Sequence, residues 1–275
     1  MRGKRQRKSL AFHCRFCTFV GLYPLLWFAS WRVVFNKSYE GATVNNNNQV
    51  ILAVFAHPDD DVLTCYGTLA RLHREKHQVY VLVLTAGERS KTSRDDVRIA
   101  EAEAAAQLVG YSLINERLLD GKLKYNIDTV ALIEKHILRL SPHVVITHYP
   151  QERGQGHQDH VETASAVVNA ARRIGHVDWI LYAEPPIQSY DFSPNLFVDI
   201  TEYMGLKKRA ISIHRSESTK PYMWPEMAET RARWWAIQAD LDDHNHNRFY
   251  EPFVIVKGLL RGNGTTTLSG GATFI

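Results

Sequence analysis

From Val50 onward, the chain switches repeatedly between unbroken apolar runs and a three-to-four-residue apolar repeat. Val50–Ala56 (VILAVFA) is continuously apolar, as expected of a strand covered on both faces. Val62–Lys76 brings Leu63, Tyr66, Leu69, Ala70 and His73 to one side of a helix. Val79–Leu84 (VYVLVL) predicts a second buried strand. Asp95–Val109 predicts a helix with Val97, Ala100, Ala104 and Leu108 aligned, and Gly110 as its stop. Further on, the pattern predicts a helix at Asp128–Leu140 before Pro142, a strand at Val144–Thr147 and a helix at Val161–Arg173. Strands at Trp179–Ala183 and Leu196–Ile200 follow, then helices at Glu202–Ile213 and Glu226–Ala239. Strand–helix alternation without internal repeats predicts an α/β fold, a Rossmann-like, mainly parallel sheet with helices on both faces in a single domain.

Upstream the pattern changes. Of 33 basic and 29 acidic residues, eight bases against Glu40 alone fall within residues 1–49, so the rest of the chain is slightly acidic. The pI of 8.9 reflects one end, and such a body gives no reason to expect nucleic acid as a partner. Five bases in the first eight residues precede Phe16–Trp31, which carries no charge. Residues 1–35 therefore predict a basic n-region and a hydrophobic helix, a signal-anchor reaching Phe35 if Arg15 and Arg32 snorkel. The charge bias keeps the basic side cytoplasmic and places the folded domain outside the cytoplasm, anchored to the membrane. The alternatives are a secreted protein, cleaved near Phe28-Ala29-Ser30, and a peripheral cytoplasmic chain. Residues 36–49 are Asn-rich and predict a polar linker, 50–261 the domain, and the Gly/Thr-rich 262–275 a flexible tail. Cys14 and Cys17 form a CxxC inside the apolar segment with no partner pair, which suits apolar filler or acylation better than zinc, and Cys65 is alone in the body.

Two polar clusters interrupt the apolar pattern. His57-Pro58-Asp59-Asp60-Asp61 follows the first strand directly. His157-Gln158-Asp159-His160 follows HVVITHYP and a loop bearing Gly154 and Gly156. Metal-competent side chains at the ends of two buried strands are how an open α/β sheet builds a site at its carboxyl edge. Three adjacent carboxylates repel one another, and a bound cation relieves that repulsion. A helix N-cap accounts for one or two of the acids but not for His57. Two imidazoles and a carboxylate from separate strands hold a divalent ion and leave one position open, as a metal-dependent hydrolase requires. Spacing alone does not choose between Asp59 and Asp61 as a base.

Ala56-His57-Pro58-Asp59-Asp60 together with His157-x-Asp159-His160 resembles the PIG-L / LmbE-like zinc de-N-acetylase family. The likeness runs from about Val50 to Lys257. It takes in LTAGER (84–89), Arg98-x-x-Glu101, Leu108-Val109-Gly110, Val198-Asp199-Ile200-Thr201 and the Arg231–Trp235 segment. The resemblance implies removal of acetate from an N-acetylglucosamine-type conjugate, a small amino-sugar partner. It implies Zn2+ on His57, Asp60 and His160, another divalent transition metal suiting the same donors. Asp59 would be the general base, and His157 the proton donor or oxyanion stabiliser, oriented by Asp159. Glu88, Arg89 and Arg94, on the loop after the second strand, would line the sugar pocket. Two positions depart from the family: Asp61 stands where a Glu usually closes the first motif, and Gln155 where a Tyr often precedes the second.

Other features fit simpler roles. His148, His214, His244 and His246 suit polar packing or helix ends better than ligation, and Tyr222, Trp224, Trp234 and Trp235 suit core or homo-oligomer packing. A zinc amidase acting on a larger sugar conjugate would use the same residues. A membrane-tethered sugar-binding protein without catalysis would need a missing metal or acid–base position, and none is missing. No G-x-G-x-x-G follows the first strand and no G-x-S-x-G occurs, which excludes the dinucleotide-binding and serine-hydrolase patterns.

Overall fold

A computed structural model of the chain describes residues 33–35, 48–90, 95–150, 157–187, 191–242, 247–259 and 272–274. All of these belong to one compact unit, Trp31–Ile275. The first predicted strand is β2 (Val50–Phe55), preceded by a short β1 (Val33–Phe35). Because side chains alternate across a strand, Ile51, Ala53 and Phe55 enter one hydrophobic core while Leu52, Val54 and Ala56 enter another. Helices α1 (Asp60–Thr64) and α2 (Tyr66–Arg74) follow, where the pattern predicts one helix; the backbone breaks at Cys65, with φ −135 and ψ 18. Next come β3 (Gln78–Thr85), α3 (Asp95–Val109) and β4 (Ser112–Leu118). β4 escapes the sequence pattern because SLINERL is a half-exposed edge strand with no apolar run.

The chain then crosses back through α4 (Ile127–Leu140) to β5 (Val144–His148), α5 (Gln158–Ile174) and β6 (Trp179–Ala183). β7 (Leu196–Asp199), α6 (Met204–Ile213), α7 (Pro225–Gln238), β8 (Tyr250–Gly258) and β9 (Ala272–Phe274) complete it. β8 also lacks a clean signal, since Glu251 and Pro252 interrupt its apolar run. It lies antiparallel between β6 and β7, a reversed strand inside a mainly parallel sheet.

The sheet order is β4-β3-β2-β5-β6-β8-β7-β1-β9. Helices α1, α2, α3 and α6 pack on one face, and α4 and α5 on the other. The chain leaves β2 toward β3 on one side and returns to β5 on the other, so the carboxyl ends of β2 and β5 flank a topological switch point, where α/β folds open a crevice.

Two sequence boundaries need correction at the β7 edge. Val33–Phe35, read as the end of the hydrophobic helix, is a strand parallel to β7. Ala272–Phe274, read as flexible tail, pairs antiparallel to it. An uncovered sheet edge presents unpaired N–H and C=O groups that recruit such short segments. The rest of the expected hydrophobic helix, and residues 36–47 of the linker, lie outside the described residues.

Candidate active site

The turn after β2 gives three neighbouring acids three different surroundings. Asp59 occupies the N-cap position of α1, yet its side chain makes no capping bond. Its Oδ1 instead accepts from Arg98 Nη2 at 2.7 Å. Arg98, on α3, is buried and also donates from Nη1 to the Gly87 carbonyl at 3.0 Å. Gly87 is required there: its φ is +69, and a Cβ would come within 2.3 Å of Arg98 Nη1. Burial alone would raise the Asp59 pKa, and the Arg98 guanidinium reverses it to a net lowering.

Asp60 accepts from the His57 N–H at 2.7 Å and lies among imidazoles, with Oδ1 3.3 Å from His160 Nε2 and Oδ2 3.2 Å from His148 Nε2. Burial opposes its ionisation, but His160 and His148 hold its carboxyl well below the usual range. Asp61 accepts from the Tyr111 hydroxyl, and burial pushes its pKa up to about 7 against that hydrogen bond. Adjacent carboxylates with separated ionisation behaviour are the mark of divided labour.

His57, Asp60 and His160 converge. His57 Nδ1 lies 3.1 Å from His160 Nε2 and 3.4 Å from Asp60 Oδ2, while His160 Nε2 lies 3.3 Å from the other carboxylate oxygen, Asp60 Oδ1. A tetrahedral ion with bonds of about 2.0–2.1 Å separates its ligands by about 3.4 Å, so these contacts have the spacing of neighbouring ligands in a zinc shell. All three residues are buried, and two neutral-capable imidazoles beside an ionised carboxylate suit a divalent ion. On the far side of His57, Nε2 meets Asp120 Oδ1 at 3.1 Å and Asp159 Oδ2 at 3.6 Å. Burial would lower the His57 pKa, but its hydrogen bonds to Asp120, Asp159 and Asp60 raise it well above the ordinary value. A carboxylate behind a ligating imidazole fixes its ring and increases its basicity.

From the second cluster, His157 caps α5 and stands exposed at the cleft, its ring edge-on to His57 with centroids 4.5 Å apart. Its Nδ1 accepts from the Asp159 N–H at 3.3 Å. The Asp159 carboxylate is turned elsewhere, accepting from Gly121 N–H at 2.6 Å and Leu123 N–H at 3.2 Å, and so ties α5 to the loop after β4. Gly154, Gln155 and Gly156 lie outside the described residues, as do Arg94, His244 and His246.

Of the expected sugar-pocket residues, Arg89 lines the cleft and donates its backbone N–H to Asp120 Oδ2 at 3.2 Å. Glu88 points behind it, its Oε1 accepting from the Asp120 N–H at 2.7 Å. The cleft holds about 770 Å3 above His57, Asp59, Asp60 and His160.

Asp120 and His148 belong to this centre, although sequence reading passed over the first and ranked the second low. A signal for each exists: Asp120-Gly121 comes one residue after β4, and His148 ends β5, so both sit at the carboxyl edge of the sheet. His148 stacks on His160 at 4.1 Å and accepts the Ala56 N–H at 3.0 Å. Glu217, fully buried, accepts from Ser90 Oγ at 2.6 Å, pairs with Lys220 and lies 3.7 Å from Arg98 Nε.

Residues 52–171 match the GlcNAc-PI de-N-acetylase family, PIG-L. A 1D-myo-inositol 2-acetamido-2-deoxy-alpha-D-glucopyranoside deacetylase of Rhodococcus erythropolis is 30% identical over 215 residues, covering 65% of this chain and 69% of the relative. Against the protein of the same description from Segniliparus rotundus, 29% identical, the chain spans about half the relative's length (52%). Among solved structures, an N,N'-diacetylchitobiose deacetylase from Pyrococcus horikoshii superposes with a TM-score of 0.64 at 23% identity, covering 78% of this chain and 88% of that one. A 4-carboxy-2-hydroxymuconate hydratase from Pseudomonas putida superposes with a TM-score of 0.67 at 21% identity, covering 78% and 99%. At those identities the superpositions establish the fold, and one fold serves more than one reaction. The sequence match over the residues that build this centre is what assigns the chain, which belongs to the PIG-L family of de-N-acetylases.

Proposed function

We propose that this chain hydrolyses an acetamide, releasing acetate from an N-acetylglucosamine-type sugar or glycoconjugate, with Zn2+ held by His57, Asp60 and His160. The observation that carries the reading is the convergence of those three side chains, with donor contacts of 3.1–3.4 Å, beside a carboxylate that is bound by Arg98 and not by a helix end. When bound, the ion would supply Lewis acidity, polarising a carbonyl and making water acidic near neutral pH. Asp59, kept ionised by Arg98, takes the proton from the attacking water. His157, at the cleft surface, delivers a proton to the departing amine. Asp120 and Asp159 hold the His57 ring from behind, so that its Nδ1 faces Asp60 and His160. Arg89 presents a cation to the sugar's oxygens.

The Rhodococcus and Pyrococcus proteins, named as deacetylases of 2-acetamido sugars, support this substrate class. The hydratase with the same fold makes the reaction depend on the site and not on the scaffold. The test is acetate release from a panel of N-acetyl sugars by zinc-loaded protein, with and without chelator. Asp59→Asn is expected to retain the metal and lose about 10²–10⁴ of kcat, and His160→Ala to lose both metal and activity. Near-normal turnover in Asp59→Asn would overturn the role of that residue.

The reading includes membrane anchoring through the segment upstream of β1, with the domain outside the cytoplasm. Among the described residues no helix is long and apolar enough to cross a membrane. Alkaline carbonate extraction of the full chain tests the anchor, and release into the soluble fraction would sink it.

A further inference from the structure

The cleft above His57, Asp60 and His160 has a mixed lining. Arg89, Ser90, Asp120 and Lys220 are among its polar residues, and Leu63, Pro186, Ile187 and Tyr222 add apolar surface. Ile187 is 47% exposed, a large aliphatic group left in water beside the reaction centre. Exposed apolar surface inside a concave site is what a ligand's own apolar group covers.

The segment that carries Pro186 and Ile187 is held in place. Pro185 and Pro186 have no N–H, so the segment cannot be fixed through its own donors. Arg231 fixes it by its carbonyls, donating from Nη2 to Pro185 O at 2.6 Å and from Nη1 to Pro186 O at 2.9 Å. Glu184 in turn holds the guanidinium, at 3.3 Å from Nε and 2.9 Å from Nη2, and accepts from the Trp235 indole N–H at 2.8 Å. The paired side chains are 18% and 9% exposed. Such an ion pair costs desolvation, which makes it more a device for fixing geometry than for stability. Nothing in the hydrolytic chemistry uses Arg231 or Glu184.

We propose that Pro186 and Ile187, clamped by Arg231 and Glu184, form a subsite for an apolar aglycone adjoining the N-acetyl sugar. The preferred substrates are then N-acetylglucosaminides carrying an aromatic ring, not the free sugar. The inference rests on the hydrolase reading of the same cleft, and Arg231 is in it a positioning residue.

Calorimetry on the zinc-loaded full chain tests it with methyl and phenyl β-glucosaminide, which have no acetyl group to lose. Wild type is expected to bind the phenyl glycoside about tenfold more tightly, the gain from covering part of one ring. Ile187→Asp, at an exposed position, should abolish that preference and leave methyl glycoside affinity unchanged. Arg231→Lys keeps the charge but not the fork, and should cut the preference to about twofold. Equal affinity for the two glycosides in wild type, binding of neither, or a preference that survives Ile187→Asp would overturn the subsite. If Arg231→Lys does not fold, Ile187→Asp decides alone. Should the phenyl preference be present while neither N-acetyl counterpart releases acetate, the hydrolase reading fails and the subsite stands.

Discussion

Arg98 Nη2 sits 2.7 Å from Asp59 Oδ1 although the two residues lie 39 positions apart, and both are buried. The pair joins α3 to the turn after β2 and favours the charge of a carboxylate whose ionisation burial opposes. Removing the guanidinium with Arg98→Leu leaves a buried carboxylate without its charge partner, which costs about 3–5 kcal/mol unless the group protonates. The expected outcome is a loss of at least ~100-fold in kcat near neutral pH. The acid limb of the pH–rate profile should move to higher pH, because the lowered pKa rises when its cause is removed. An unmoved limb would mean that Arg98 supports the fold only.

Metal binding should expel a proton. In the metal-free chain burial lowers the His57 pKa, but Asp120, Asp159 and Asp60 reverse this and hold it above its ordinary value, which favours the protonated ring. A ligating imidazole must be neutral, so zinc affinity rises with pH, by about tenfold per unit while the proton has to be displaced. Stability without metal runs the other way. A raised histidine pKa contributes stability that is fully present below the unfolded value of about 6.5 and is lost as pH rises toward the folded one. Thermal melts with chelator should fall over that window and those with excess zinc should not; parallel curves would contradict the assignment of His57.

Asp61 gives the opposite sign to the usual carboxylate. Its folded pKa of about 7 exceeds the unfolded value, so folding disfavours its charge and stability is lost as pH rises from about 4 to about 7. Asp61→Asn keeps an acceptor for the Tyr111 hydroxyl and removes the penalty. At pH 8 the variant is expected to be more stable than wild type by about 2–4 kcal/mol, and at pH 4 by roughly nothing. Urea titrations at the two pH values check this, and an equal effect at both would show that the ionisation is irrelevant.

A second buried ion pair anchors the far side of the fold. Glu251 on β8 accepts from Lys207 Nζ at 2.6 Å, from Thr68 Oγ1 at 2.6 Å and from the N–H groups of Gly67 and Thr68 at 3.0 and 2.7 Å. Lys207→Met strands a buried carboxylate and is expected to cost about 3 kcal/mol in denaturant unfolding. Glu251→Gln, which retains an acceptor, should cost less when paired with Lys207→Met than alone. Additive effects would mean the two side chains do not act as a pair.

Sequence pattern alone determined the alternation of strands and helices and the location of both polar clusters. Each depends on local periodicity: an unbroken run such as Val50–Phe55 must be covered on both faces, and a histidine directly after it must emerge at the sheet edge. β4 and β8 escaped because one is half exposed and the other carries Glu251 and Pro252. The proposed ligand triad was readable as residue types, whereas the tasks of Asp59, Asp60 and Asp61 were not distinguishable by spacing. Tertiary structure separated them, through Arg98 at 39 positions and Tyr111 at 50, and it brought in Asp120, 63 positions from His57. Burial and charge partners set how a carboxylate ionises, and both come from segments that meet only when the sheet closes around its switch point.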